Sequence, residues 1–573
     1  MRHFSSRAIV GCLCVIFALS AWVVAPRSDS SFAAYAQTPQ ARPAIASKPA
    51  QLQPASVSTK PLSSEPRSIA PVGSEMYTAK RGEAIPTIAR HYLGRTSYLT
   101  SSELAAAIRA VNHKSDSSNI LKANETIVVP GILPAPITEK NIPVAKDFEA
   151  RAVYLTGVMA GSDHGLRIIR HWREVGGNAV VFDIKDSDGS VNIPFQHPLL
   201  GEHKVYIHDV PKFVHFLHQE NMHAIARIAI FRDERLVKEH PELAVQSRKN
   251  HTAWRENGKL VWTDPSNPVV QDYDIALAKH VAQLGVDEVQ FDYVRFPAEG
   301  DQKDAAFKFQ NDLTQTELEA SNTCQEGNQA GTGASVGAVK QTNRPRKGGS
   351  SKREPITQAS ADKPTPRTSA SAKKTKSLCQ FAKPRGQQRS DVIAAFLNKA
   401  YSEIHPTGVL LSLDVFGVMA WQRSVDLAHT GQDIVQMARH CDILSPMIYP
   451  SHFFGMDNIA RPGDEPAHFI GESMDRFELI TKGSGVVIRP WLQAFHWRTK
   501  TYSPEYIKIQ VETARTKGGI GFLFWNAAND YSKPFTAMPE MKAENYKERS
   551  KDNPKYFRGD ELSSPTVQAE LKR

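Results

Sequence analysis

The chain has 573 residues of ordinary globular composition, too many for one core, so two or more domains with linkers are expected. The net charge of +10 sits in one place: residues 321–390 alone carry +11, leaving the remainder close to neutral. That placement argues against nucleic-acid binding and reads as a solvated charge run, with attraction to an anionic envelope polymer or membrane surface as its alternative use.

The first 36 residues read as an export signal. Arg2 and Arg7 precede an apolar core over Ala8–Ala25, and Ala34-Tyr35-Ala36 offers a small-x-small cleavage site before Gln37. The apolar run of 18 residues also suits an uncleaved inner-membrane anchor. Either way the rest of the chain is expected in the periplasm or cell envelope, or secreted. Residues 37–75, rich in Pro, Ser, Ala and Gln, read as a disordered tether.

A compact unit follows over residues 76–131. Met76–Lys80 is expected as a strand and Gly82 as a turn. Ile85–His91 is expected as a helix with Pro86 in its first turn, and Ser102–Val111 as a second helix capped by Ser101 or Ser102. Ile127–Val129 returns as a strand. Tyr77-Thr78-Ala79-Lys80-Arg81-Gly82-Glu83, Ile88-Ala89, Asn112 and the closing run Leu121 to Pro130 give this βααβ unit a resemblance to the LysM module. The resemblance implies binding to N-acetylglucosamine-containing glycans such as peptidoglycan. Asn124 stands where that family usually has glycine, and Asn tolerates a left-handed turn.

Beyond the connector at 134–143, eight short apolar runs dominate residues 150–535. They are Ala152–Val158, Ala179–Ile184, Ala224–Phe231, Glu288–Phe296, Val409–Phe416, Ile443–Tyr449, Val486–Phe495 and Ile520–Trp525. Nearly continuous Val, Ile, Leu and Phe indicates strands buried on both faces of a parallel sheet. Helix-like segments such as Gly165–Glu174, Val210–Glu220, Val270–Leu284, Val392–Ile404 and Pro504–Lys517 separate most of them. The expected fold is therefore α/β, a (β/α)8 TIM barrel behind the small LysM-like domain, with its chemistry at the C-terminal ends of the strands. A low-complexity basic insert, 311–388, interrupts the barrel after its fourth strand, and 536–573 is a charged tail. Cys324 and Cys379 bracket the insert and are placed to form a bridge; Cys441 reads as a buried apolar residue.

Four segments carry a second resemblance: Ala150–Thr156, Asn178–Asp186, Asp287–Pro297 and Ser445–Pro450. They resemble the bacterial family called the putative glycoside hydrolase domain, a distant relation of the α-amylase-like barrels. In those relatives an aspartate on strand four attacks, an acid on strand five protonates, and an arginine precedes the nucleophile by two residues. The matching positions here hold Asp292, Asp414 and Gln290, so the usual strand-five glutamate and the arginine are both replaced.

Glycosidic cleavage needs two carboxyl groups flanking the anomeric carbon. Asp292 and Asp414 lie near the ends of neighbouring apolar strands, which run about 4.8 Å apart. Asp292 is assigned as nucleophile or charge stabiliser, and Asp414 as general acid/base. Asp183 is the same kind of residue on strand two, where a buried acid paired with Arg or Lys competes with substrate binding. Tyr293, Trp421, Tyr449, Trp491, Trp497 and Trp525 fall at or beyond strand ends and are expected to stack on sugar faces. Arg295, Gln493, His496, Asn526 and His452 are expected as nearby polar groups. Asp183, Asp186 and Asp188 before Gly189 suggest a polar turn more than a calcium loop. No cofactor or metal is expected, and the partner is a polysaccharide. The rival readings are a polysaccharide-binding barrel without turnover and a metal-dependent deacetylase.

Overall fold

The eight apolar runs close into a barrel. The computed structural model describes residues 70–115, 119–141, 143–310 and 388–541. The export signal, the basic insert with Cys324 and Cys379, and the charged tail beyond 541 lie outside the described residues.

The barrel strands are Ala150–Leu155, Ala179–Lys185, His223–Ala229, Glu288–Asp292, Leu410–Phe416, Ile443–Ile448, a seventh in two pieces (Val487–Ile488 and Trp491–Gln493) and Gly521–Trp525. Each pairs in parallel with the next, and the eighth closes on the first through Gly521–Phe524 against Ala150–Val153. The expected (β/α)8 architecture is what forms.

Among the strand boundaries that differ from expectation, two have identifiable reasons. The fourth strand stops at Asp292 rather than Phe296, because Tyr293 turns the backbone into the left-handed region (φ 55°). The seventh breaks at Arg489-Pro490, since Pro490 has no N–H for the ladder.

Alternation along each strand sorts side chains into two layers. Val153, Leu155, Val180, Phe182, Val289, Phe291, Leu411 and Leu413 face the helices in the large outer core. Ala152, Tyr154, Ala179, Val181, Ile225 and Trp491 fill the barrel interior. The same period places Glu288, Gln290 and Asp292 on the side opposite Val289 and Phe291. Thus a strand buried on both faces carries a row of polar groups down the barrel axis.

The floor of that row is an ion cluster. Glu288 Oε2 accepts from Arg489 Nη1 at 2.8 Å and contacts His223 Nε2 at 3.0 Å, while Arg489 Nη2 donates to the Phe148 carbonyl at 3.0 Å. Burial opposes the charge on Glu288, but Arg489 and His223 outweigh it and pull the carboxyl down to about 2. A depressed carboxyl stabilises the fold fully above its unfolded value near 4.5 and loses that contribution as pH falls toward 2. Urea unfolding at successively lower pH should show the wild type losing on the order of 3 kcal/mol more than Glu288→Gln between about pH 6 and pH 2.

Residues 74–130 form a two-stranded antiparallel sheet, Ser74–Thr78 with Thr126–Pro130, around the helices Ile85–Tyr92 and Ser101–Val111. Asn124 takes the left-handed turn (φ 61°). The second helix is capped by Thr100, whose hydroxyl accepts from Glu103 N, not by either serine. The loop between the helices and the first turn of the second helix pack on the barrel: Lys212 Nζ donates to the Leu93 carbonyl at 2.9 Å, and Arg170 pairs with Glu103 at 3.2 Å. Cys441 is buried, as expected.

Candidate active site

The C-terminal ends of the strands converge on a buried guanidinium. Arg227, in the middle of the third strand, donates through Nη2 to Asp292 Oδ2 at 2.6 Å and through Nη1 to Asp183 Oδ1 at 2.5 Å. Its Nε lies 3.2 Å from Asp292 Oδ2 and 3.9 Å from Asp414 Oδ2. One cation therefore touches carboxyl groups from the second, fourth and fifth strands. Tyr154 and Trp525, stacked on each other at 4.1 Å, hold it from the side, with its Cζ 5.6 and 5.3 Å from their ring centroids.

This cluster bears on one of the two departures in sequence, the arginine missing at position 290. The guanidinium absent at position 290 is supplied from the neighbouring strand: Arg227 is the registered partner of Gln290. Gln290 itself is fully buried, with Nε2 at 3.4 Å from Ser445 Oγ.

The three aspartates differ in environment. Asp292 is 7% exposed at the cleft floor, and its Oδ1 accepts from the Tyr293 amide at 2.6 Å. Asp414 is 1% exposed, with Oδ1 accepting from Trp491 Nε1 at 2.6 Å. Burial, then the charge of Asp292, push the Asp414 carboxyl well above the usual range despite Arg227 and Trp491. Asp183 is fully buried between Arg227 and the Tyr154 hydroxyl, which donates to Oδ2. Burial raises it to about 7, with Arg227 pulling the other way.

Above this floor opens a cleft of about 450 Å³. Of the residues singled out in sequence, Asp292, Asp414, Tyr293, Arg295, Tyr449, His452, Trp491, His496, Trp497, Trp525 and Asn526 line it. Tyr449, Phe495, His452 and Trp497 form one continuous aromatic wall, with ring centroids 4.7–5.9 Å apart. Burial holds the His452 imidazole down to about 4, so it is neutral at physiological pH.

Three expected residues stand elsewhere. Trp421 packs on Phe453 at 5.5 Å under the Arg476 guanidinium, because the turn after strand five carries it behind the cleft wall. Gln493 is buried, its amide accepting from Ser451 N and donating to the Phe495 carbonyl; it holds two cleft loops together. Asp183 supports Arg227 and does not line the cleft. Arg295 lines it but is 2% exposed, its guanidinium 4.4 Å from the Trp262 ring centroid and 4.6 Å from that of Phe416. Asp186 and Asp188 accept from Ser187 N and Ser190 N within their own turn. Among the described residues no group of three or more His, Cys, Asp or Glu is placed to hold a metal.

Sequence reasoning missed one wall entirely. Short antiparallel pairs after the third and fourth strands, Arg255–Glu256 with Leu260–Val261 and Gln246–Ser247 with Ala305–Ala306, bring Glu256 and Glu299 to the cleft. Glu256 Oε1 accepts from the amides of Ala298 and Glu299, and Oε2 from Trp262 Nε1.

A closed parallel barrel with paired carboxyl groups and aromatic walls at its C-terminal mouth defines the class: a (β/α)8 barrel with an acidic, aromatic-walled cleft where such barrels carry their sites. Residues 152–531 match the family described as a putative glycosyl hydrolase domain, and the chain belongs to that family. No curated protein matches it. A hypothetical protein from Ruminiclostridium thermocellum ATCC 27405 is 38% identical over 27% of this chain and 81% of its own, with a TM-score of 0.25. The glycoside hydrolase domain of PgaB (BpsB) from Bordetella bronchiseptica is 12% identical over 68% of this chain and 98% of its own, with a TM-score of 0.42. The spore cortex-lytic enzyme SleL of Bacillus megaterium QM B1551 is 10% identical over 82% and 86%, with a TM-score of 0.34.

Proposed function

We propose that the protein is an exported glycoside hydrolase that cleaves a cell-envelope or extracellular polysaccharide. The observation that carries the reading is the pair Asp292 and Asp414: two carboxyl groups sharing the Nε of Arg227, one ion-paired at the cleft floor, the other burdened by burial and like charge. Such a pair divides acid and base roles between identical side chains. Asp292 attacks or stabilises the anomeric carbon as the glycosidic bond breaks. Asp414 gives its proton to the leaving oxygen and recovers one from water, which supplies the hydroxyl of the new reducing end. Tyr449, Trp497 and Trp525 offer faces for pyranose rings.

The LysM-like module would hold the chain on an N-acetylglucosamine polymer, and linkage to it raises the polymer concentration at the cleft. The N-terminal signal or anchor would place both in the periplasm or envelope.

Reducing-end release by residues 37–573 from peptidoglycan, chitin, poly-N-acetylglucosamine and α-glucans tests the reading and names the polymer. No product from any of them removes it. Burial and the Asp292 charge raise the Asp414 carboxyl, which extends the pH range over which it holds its proton, so activity should fall on the alkaline side as that group ionises. Asp414→Asn should slow polymer cleavage roughly 100-fold or more, yet largely spare an aryl glycoside whose leaving group needs no proton. Equal losses on both substrates would deny Asp414 the acid role.

A further inference from the structure

Glu299 is one of two cleft carboxyls that the mechanism above leaves unused, the other being Glu256. Glu299 is only 8% exposed, and it stands on the wall formed by the loops after the third and fourth strands. Asn257 Nδ2 donates to its Oε2 at 2.7 Å, while its backbone amide is tied to Glu256. Both oxygens of Glu256 are occupied by N–H donors within the wall, so of the two glutamates only Glu299 has an oxygen left for a ligand.

The cations around it are already engaged. Arg227 is held by Asp183 and Asp292. Arg295 is pressed between Trp262 and Phe416 and donates to the Phe296 carbonyl. A sugar carrying a carboxylate or sulfate would therefore meet Glu299 and Glu256, while Arg227 and Arg295 are each only 2% exposed.

We propose that Glu299 is a specificity residue, which makes the cleft take a glycan that is uncharged at this position and turn away anionic ones such as uronates. The inference rests on the cleft being where a glycan binds, as in the preceding section. Glu299 accepts a hydrogen bond from a sugar hydroxyl when ionised and donates one when neutral, so a neutral chain is served in either state. An anionic chain is repelled in the ionised state alone. The charged groups facing Glu299 are Glu256 from the adjacent hairpin and Arg295 from its own loop, with Arg227, Asp292 and Asp414 on the floor and His452 and His496 on the remaining cleft wall. Burial, then the Glu256 charge, raise the Glu299 carboxyl to about 7, so the discrimination should strengthen as pH rises through neutrality.

The test compares a neutral polymer with its own carboxymethyl derivative, glycol chitin with carboxymethyl chitin and starch with carboxymethyl starch. Asp183 and Asp414 titrate as well, but they are present in both proteins, so the difference between wild type and Glu299→Gln isolates the contribution of Glu299. The kcat/KM ratio, neutral over anionic, should rise about tenfold in the wild type between about pH 5.5 and pH 8.5, the scale of one like-charge contact. The rise should be clearly smaller in Glu299→Gln. Retardation in gels cast with each polymer gives the same comparison without bond cleavage. Wild type that is retarded but releases no product would defeat the hydrolase reading and leave the gel ratio to decide this one. A ratio that moves with pH equally in wild type and Glu299→Gln, or in neither, overturns the proposal.

Discussion

Asp292→Asn should lower kcat on the polysaccharide roughly ten-thousand-fold while leaving a folded barrel. The size follows from what the carboxylate does: without it there is neither an attacking oxygen nor a negative charge to meet the developing oxocarbenium ion, and loss of one such group commonly removes most of the chemistry. The fold survives because Arg227 keeps its 2.5 Å contact with Asp183, and because the amide oxygen at position 292 can still accept from one of its two donors, Arg227 or the Tyr293 N–H. Stability should change by no more than about 1–2 kcal/mol. The charge of Asp292 is the second cause of the raised Asp414 carboxyl, so in the variant Asp414 should ionise at lower pH. Kinetics on the polymer and thermal unfolding of both proteins check the two halves. A variant that keeps more than about a tenth of wild-type kcat would show that Asp292 is not the reacting carboxylate.

Arg227→Met should damage both stability and activity. Arg227 is almost fully buried among Asp183, Asp292 and Asp414, and taking away the cation of a buried ion cluster leaves carboxylates with no partner in a low-dielectric interior. That costs about 3–5 kcal/mol. The carboxyl groups escape part of the penalty by taking up protons, which removes the charge Asp292 needs, so activity should vanish with the stability. Arg227→Lys should recover some stability and little activity. An ammonium is a point charge and cannot reach Asp183 and Asp292 at once in the geometry of a guanidinium fork. Denaturant unfolding separates the effects: a stable, active Arg227→Met protein would show that the cluster is not organised by this residue.

The barrel was legible because its strands are buried on both faces, and burial on both faces writes long apolar runs into the chain. The same runs hid where strands end. Nothing in Asp292-Tyr293-Val294 marks the positive φ at Tyr293, since it is imposed by the packing around the site and not by a glycine. The carboxyl pair was legible for the opposite reason: an acid inside an apolar run stands out. Arg227 gave that signal equally well, in Ala226-Arg227-Ile228, but the expectation of an arginine two residues before Asp292 drew attention to Gln290 instead. The guanidinium arrives from the adjacent strand, and pairing across strands is invisible until the register is known.

Glu256 and Glu299 could not be found from sequence. They sit in polar loops where glutamate is ordinary, and only the hairpins that fold those loops over the mouth make them part of a cleft. Trp421 and Gln493 show the converse error: nearness to a strand end in sequence says nothing about which way the turn carries the side chain.

The most direct test of the account puts binding and cleavage in one tube. Wild type and Asp292→Asn would be incubated with the same insoluble polymer, and each sample split into bound protein and released reducing ends. Both proteins sedimenting with the polymer, with product from the wild type alone, is the result expected of a glycosidase whose chemistry rests on Asp292. Both proteins sedimenting with no product from either would contradict it and leave a polysaccharide-binding barrel without turnover.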